Sequence, residues 1–201
     1  MAGIDVKLVI ASNNIHKVEE IRQIAPEGFR FTTLGEINFI DELPETTGTI
    51  PGNALQKAHT LYGKTGLNCI ADDSGLLITA LNGDPGVDSA MYAGLPKNDE
   101  KNISKVLFEM EGVANREAFF ITVIALLINE KEFIFEGKIK GQILSSSRGN
   151  NGFGYDPIFK PDSSPLSFAE MNSTEKNKFS HRAIAIGKMI SFLKNNKTEW
   201  E

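Results

Sequence analysis

Asp72 and Asp73 stand directly behind the apolar run 67–71 and are closed by Ser74 and Gly75. A carboxylate pair at the end of a strand lies where open α/β sheets put their ligands. Mg²⁺ takes one or two carboxylates and completes its shell with phosphate oxygens and water. A water held beside the second carboxylate is then a nucleophile with a base next to it. An Asp-rich turn that merely caps a loop would look the same. Glu45, one of four acids in the stretch 35–52, is either a third oxygen donor or a solvated loop residue.

Cations and polar turns occur at a few separated places. Ser12-Asn13-Asn14 leads into Ile15-His16-Lys17, a polar turn before a helix start, and such a turn gathers backbone N–H groups for phosphate. Lys17 would add a point charge, although a capped helix with a surface lysine fits equally well. Lys57 falls near the start of a helix begun at Asn53, where a lysine opposes the macrodipole, so a function would explain it. The segment 149–156, GNNGFGYD, is glycine-rich but lacks the dinucleotide spacing, and Pro157 argues against a helix starting there. It reads as a loop presenting Phe153 to a base and Asp156 to a base edge, or as a connection with a buried phenylalanine. Lys176, His181 and Arg182 sit early on the last helical segment. Gly63-Lys64-Thr65 mimics the end of a P-loop, but Ala58 stands where the first glycine is required.

These residues need a scaffold, and the hydrophobic spacing supplies one. Residues 6–11 read as a buried strand, and Ile15, Val18, Ile21 and Ile24 recur at helical spacing until Pro26 and Gly28. A strand follows at 29–34, then the loop 35–52 and a helix from Asn53. Short strands are expected on either side of a turn at 72–75. A Gly/Pro-rich loop covers 82–97, and Asn98 or Asp99 opens a third helix. Residues 118–128 and 133–136 form a hairpin about a turn at 129–132, with a further strand at 138–144. One last helix runs over about 174–194. The alternation of elements is α/β with a mixed sheet.

Composition narrows the function. At 201 residues the chain makes one domain, and roughly 70% of the unfolded surface can be buried without a disulfide or structural metal. Cys69 is the only cysteine and reads as a small core residue. The net charge of −5 and the lack of a basic stripe argue against a nucleic-acid polymer as partner. The apolar run 118–128 is too short to cross a bilayer, and no signal segment is evident, so a cytoplasmic, membrane-free protein is expected.

The order of the motifs carries more than any one of them. Ser12-Asn13-Asn14…Lys17, Asn53-Ala54…Lys57-Ala58, Ala71-Asp72-Asp73-Ser74-Gly75-Leu76, Gly152-Phe153-Gly154-Tyr155-Asp156-Pro157-Ile158-Phe159 and Ser180-His181-Arg182 closely resemble the noncanonical purine NTP pyrophosphatase (inosine triphosphatase, dITP/XTP pyrophosphatase) family over about residues 6–193. The resemblance implies a single domain over 1–201 with a mixed, elongated sheet flanked by helices, in two lobes with a central cleft. It also implies a homodimer, Mg²⁺ or Mn²⁺, and hydrolysis of ITP, dITP and XTP to the monophosphate and pyrophosphate. House-cleaning of other modified nucleotides is the alternative. It makes Asp73 the general base and a metal ligand, with Asp72 and Glu45 as supporting ligands. Ser12, Asn13, Asn14, Lys17, Lys57 and Ser74 would hold the triphosphate. Phe153 would stack on the base, in a loop shared with Gly154 and Tyr155, while Asp156, Lys176, His181 and Arg182 read its edge. The chain departs from the family at Gly52, where Glu is usual, at Met91, where Arg is usual, and at Asn150-Asn151.

Overall fold

A computed structural model describes residues 6–196. Its elements run β1 (Val6–Ile10), α1 (Ile15–Ile24), β2 (Phe29–Thr33), α2 (Ile50–Thr65), β3 (Cys69–Ile78), β4 (Pro85–Gly86), α3 (Asp99–Glu109), β5 (Glu117–Ile128), β6 (Lys131–Ile143), β7 (Phe159–Pro161), α4 (Ser173–Lys176) and α5 (His181–Asn195). The seven strands form one mixed sheet in the order β2-β1-β3-β5-β6-β7, with β4 on β3. β1 is parallel to β2 and β3, whereas β4 and β7 run antiparallel to their partners. The expected mixed α/β architecture is the one observed.

The chain divides into two compact units. Among the described residues, the first holds 6–73, Thr122–Gly137 and 182–196; the second holds Ser74–Ile121 and Lys138–His181. In the first, Leu8, Ile10, Ile70, Ile124 and Leu126 of the sheet pack with Ile21 of α1 and with Ile186 and Met189 of α5. In the second, Leu76, Ile78, Val106, Met110, Phe159 and Phe168 form the core. Among the described residues no helix is long and apolar enough to cross a membrane.

Four local expectations are corrected. β3 runs unbroken through Asp72-Asp73-Ser74-Gly75, so no turn forms at Gly75. The strand is buried nearly throughout, and Leu76 N–H donates to Ser89 Oγ at 2.9 Å, so sheet pairing and packing override the glycine's turn preference. α2 begins at Ile50 rather than Asn53: Thr49 accepts the Gly52 N–H at 3.1 Å and Pro51 fits the first turn. The strands expected at 133–136 and 138–144 are one strand, β6, entered through Asn129 and Glu130, both with positive φ as a tight hairpin requires. The last helix is two, because the capping box of Asn172 and Glu175 starts the short α4 and the helical path stops before His181.

Candidate active site

In the first unit the register fixes where the acids lie. Ile10, the last residue of β1, pairs with Ile70, and Ala11 N–H donates to Ile70 O at 2.7 Å. Asp72 and Asp73 therefore lie just past the carboxyl end of β1, beside the turn that opens α1, although they are inside their own strand. Ligands of parallel sheets collect at such strand ends. Asn14 caps α1, its side-chain oxygen accepting the His16 and Lys17 N–H at 3.0 and 3.3 Å. Two amides expected for phosphate are thus capped from within, and Ser12 Oγ accepts the Asn14 N–H at 3.2 Å. Asn13 is exposed.

Two cations converge on Asp72. Lys17 Nζ lies 3.2 Å from Asp72 Oδ2, and Arg182 reaches the same oxygen through Nε at 3.3 Å and Nη2 at 3.2 Å. Arg182 also donates through Nη1 to Glu20, and all three groups are buried. Arg182, expected at a base edge, has its guanidinium on these two carboxylates. Burial works against ionising Asp72, yet Lys17, Arg182 and Lys57 outweigh it and hold the carboxyl well below the usual range. Burial pulls the Lys17 ammonium below the lysine range, with Lys57 and Arg182 acting the same way and Asp72 opposing.

Asp73 differs from its neighbour. Burial lifts its carboxyl above the usual range, Lys57 and Lys17 oppose the shift, and Glu45 and Asp72 add to it. Its Oδ2 is buried with no hydrogen-bond partner among the described residues. Lys57, in the second turn of α2 and not at its start, is buried between the acids. Its Nζ donates to Glu45 Oε1 at 2.5 Å and to the Asp72 carbonyl at 2.6 Å, and it stands 3.9 Å from Asp73 Oδ1. A hard divalent cation fits the donor set of Asp73 and Glu45, because the buried Asp73 Oδ2 has no hydrogen-bond donor on it. Among the described residues no three His, Cys, Asp or Glu side chains form a metal cage. Two carboxylates plus substrate oxygens is the arrangement Mg²⁺ favours over such a cage.

The second unit holds the aromatic residues. Phe153 is half-buried, and the Lys176 ammonium lies 4.9 Å from its ring centroid. Lys176 donates to Asp156 Oδ2 at 2.6 Å, and the same oxygen accepts the Phe153 N–H at 2.9 Å. Both ends of that ion pair are buried. His181, the first residue of α5, stacks on Phe120 with centroids 4.6 Å apart and planes 9° from parallel. The Tyr155 hydroxyl is anchored on Ser89 O at 2.8 Å, so the phenol is a fold element within the motif. Ser74 is half-buried and is the first residue of this unit.

Nothing in the local sequence marks Glu20 as a site residue. It stands one turn beyond Lys17 among charged residues that look solvated, and only the burial of Arg182 against it shows its role. Met91, at a family departure, is exposed on the loop before α3.

Comparison with known proteins agrees with the motif order. The Ham1 family model matches residues 8–192. A dITP/XTP pyrophosphatase of Flavobacterium psychrophilum is 46% identical over 94% of this chain and 100% of its own. One from Porphyromonas gingivalis is 47% identical, covering 93% of this chain and 97% of its own. Among solved structures, a HAM1 protein from Coxiella burnetii superposes with a TM-score of 0.87 at 39% identity, over 94% of this chain and 99% of that one.

Proposed function

The chain belongs to the Ham1 family, and from that premise we propose that it hydrolyses deaminated purine nucleoside triphosphates (ITP, dITP and XTP) to the monophosphate and pyrophosphate. The observation that carries this reading is the pairing of unlike acids on β3. Asp72 is held ionised by Lys17 and Arg182, while Asp73 is lifted in pKa and keeps one buried oxygen without a partner.

The roles follow from those environments. Asp73 accepts the proton of the attacking water, as a carboxyl with a raised pKa does best near neutral pH. Oxygen from that water bonds to the α-phosphorus as the α–β bridging bond breaks, and pyrophosphate leaves. Asp73 and Glu45 would hold the divalent ion, Mg²⁺ or Mn²⁺, whereas Asp72, the further ligand that the family resemblance implies, is taken up by Lys17 and Arg182. When bound, such an ion supplies Lewis-acid neutralisation of the phosphate oxygens. Lys17 and Lys57 hold the remaining triphosphate charge, with Ser12, Asn13, Asn14 and Ser74 as neutral donors. Asp72 orients Lys17, and Arg182 with Glu20 keeps Asp72 in place.

Phe153 stacks on the base, within the loop of Gly154 and Tyr155. Lys176, steadied by Asp156, and His181 offer donors to a base edge. A 6-keto oxygen accepts from them. The 6-amino group of adenine does not, and leaving buried donors unpaired costs roughly 1–3 kcal/mol each. The same reading makes the protein a cytoplasmic house-cleaning enzyme that works as a homodimer, for which sedimentation velocity is the direct measurement.

Incubation with Mg²⁺ and a panel of ITP, XTP, GTP, ATP and dUTP tests the proposal. Pyrophosphate together with IMP from ITP, far faster than AMP from ATP, is the expected result. Inorganic phosphate as the primary product, or a preference for dUTP, would overturn it.

A further inference from the structure

The first turn of α3 reaches the aromatic loop. Asn98 caps that helix by accepting the Lys101 N–H at 2.8 Å, and Asp99, its first residue, accepts the Gly154 N–H at 2.7 Å. One residue earlier, the Phe153 N–H goes to Asp156 at 2.9 Å. Two consecutive amides of the loop are therefore each held by a carboxylate.

The two carboxylates stand in different surroundings. Asp156 is buried against Lys176. Asp99 is exposed at the first residue of α3. Gly154 has φ of 59°, so the chain reverses there, and whatever holds its amide sets the direction in which the backbone leaves Phe153. α3 itself is a firm anchor. Buried Asn102 accepts the Ala93 N–H at 2.8 Å and donates to Ala90 O at 3.1 Å, and Val106 and Met110 lie in the core of the second unit.

We propose that Asp99 is a positioning residue for base recognition: its bond to the Gly154 amide holds the Phe153 ring in the attitude that receives the purine. The proposal rests on the reading of Phe153 as the stacking residue. Asp99 itself touches no substrate atom and acts through the backbone of Gly154. Its loss leaves the acids of β3 unchanged, so the effect falls on KM rather than kcat.

Steady-state kinetics with ITP and Mg²⁺ on Asp99→Ala, Asp99→Asn, Phe153→Ala and the double variant Asp99→Ala/Phe153→Ala test this. Asp99→Ala should raise KM about fivefold, as expected for one lost hydrogen bond at an exposed site, with kcat changed by less than about twofold. Asp99→Asn keeps a side-chain oxygen that accepts the amide and should recover most of the KM. In the Phe153→Ala background, Asp99→Ala should add little, because the ring it positions is gone. An unchanged KM in Asp99→Ala, or a full further rise in the double variant, overturns the role of Asp99. If Phe153→Ala alone leaves KM unchanged, the stacking reading falls, and this proposal falls with it.

Discussion

Asp72 and Asp73 are adjacent in sequence, yet their carboxyl pKa values are displaced in opposite directions, and cations account for the difference. Asp72 has Lys17 and Arg182 on a single oxygen, whereas the nearest ammonium to Asp73, that of Lys57, is 3.9 Å away and shared with Glu45. An acid whose charge is fully compensated is a poor base, while one buried with a partnerless oxygen can accept a proton or a cation. Asp73→Asn keeps the shape and removes both capacities. It should lower kcat by at least about 10³-fold, a loss at the level of removing general-base catalysis and more. In EDTA the variant should unfold no earlier than the parent, and Mg²⁺ should raise Tm in the parent only. Near-parental turnover would remove Asp73 from its role. Most of these side chains were legible in the sequence because each sits in a compact motif. Glu20 was not, because the apolar spacing of α1 puts it off the buried stripe. Its burial comes from Arg182, 162 residues away, and no local pattern reports such a pairing.

At the scale of elements, Gly52 shows how a departure from the family pattern is accommodated. A Cβ at this position would lie 2.6 Å from Thr49 Oγ1 and 2.8 Å from Thr47 Cβ, and closer still to Thr47 Oγ1. Thr47 is in turn held by buried Asn53, which accepts its hydroxyl at 2.9 Å and its N–H at 3.1 Å. The start of α2 is packed around the missing side chain, so the glutamate usual in the family has no room. Gly52→Ala would gain about 1 kcal/mol in helix propensity but displace a hydroxyl that satisfies Asn53, at roughly 1–3 kcal/mol. The net expectation is destabilisation by about 1 kcal/mol in urea unfolding. The loss should shrink in a Thr47→Gly background, and equal losses in both backgrounds would refute the clash. This same contact explains why α2 starts earlier than its sequence suggests: Asn53 looks like a cap in sequence, but its side chain is spent on Thr47, and Thr49 does the capping. β3 departs from its local sequence signal for a related reason. Its glycine reads as a turn signal, yet pairing with β4, where Leu76 lies opposite Gly86 and Leu77 opposite Pro85, keeps it extended. β1, α1, β2 and α3, whose apolar periodicity is locally complete, needed no tertiary partner to be recognised.

Over the whole molecule, global stability should depend on alkaline pH through a group that takes no part in the proposed chemistry. Cys69 is fully buried at the first residue of β3, and its thiol donates to Ala58 O at 3.5 Å. Burial pushes that thiol from 9.0 up to about 12. Between those values the unfolded chain gives up the proton and the folded chain keeps it. The folded state then binds more protons than the unfolded state, so stability falls as pH rises. The slope is roughly 1.4 kcal/mol per pH unit for one fully shifted group. Below pH 9 the contribution is complete, and it is lost through about pH 12. The Tyr155 phenol, also raised by burial, adds a loss of the same sign at higher pH. The net charge, already −5 at pH 7, grows more negative over this range and adds self-repulsion that does not depend on Cys69. Cys69→Ala separates the two effects. It should cost some stability at pH 8 by leaving a small void, yet lose less on going from pH 9 to 11 than the parent does. Chemical denaturation at several pH values measures that difference. A gap between parent and variant that stays constant across the range would mean that Cys69 keeps no proton that the unfolded chain has lost.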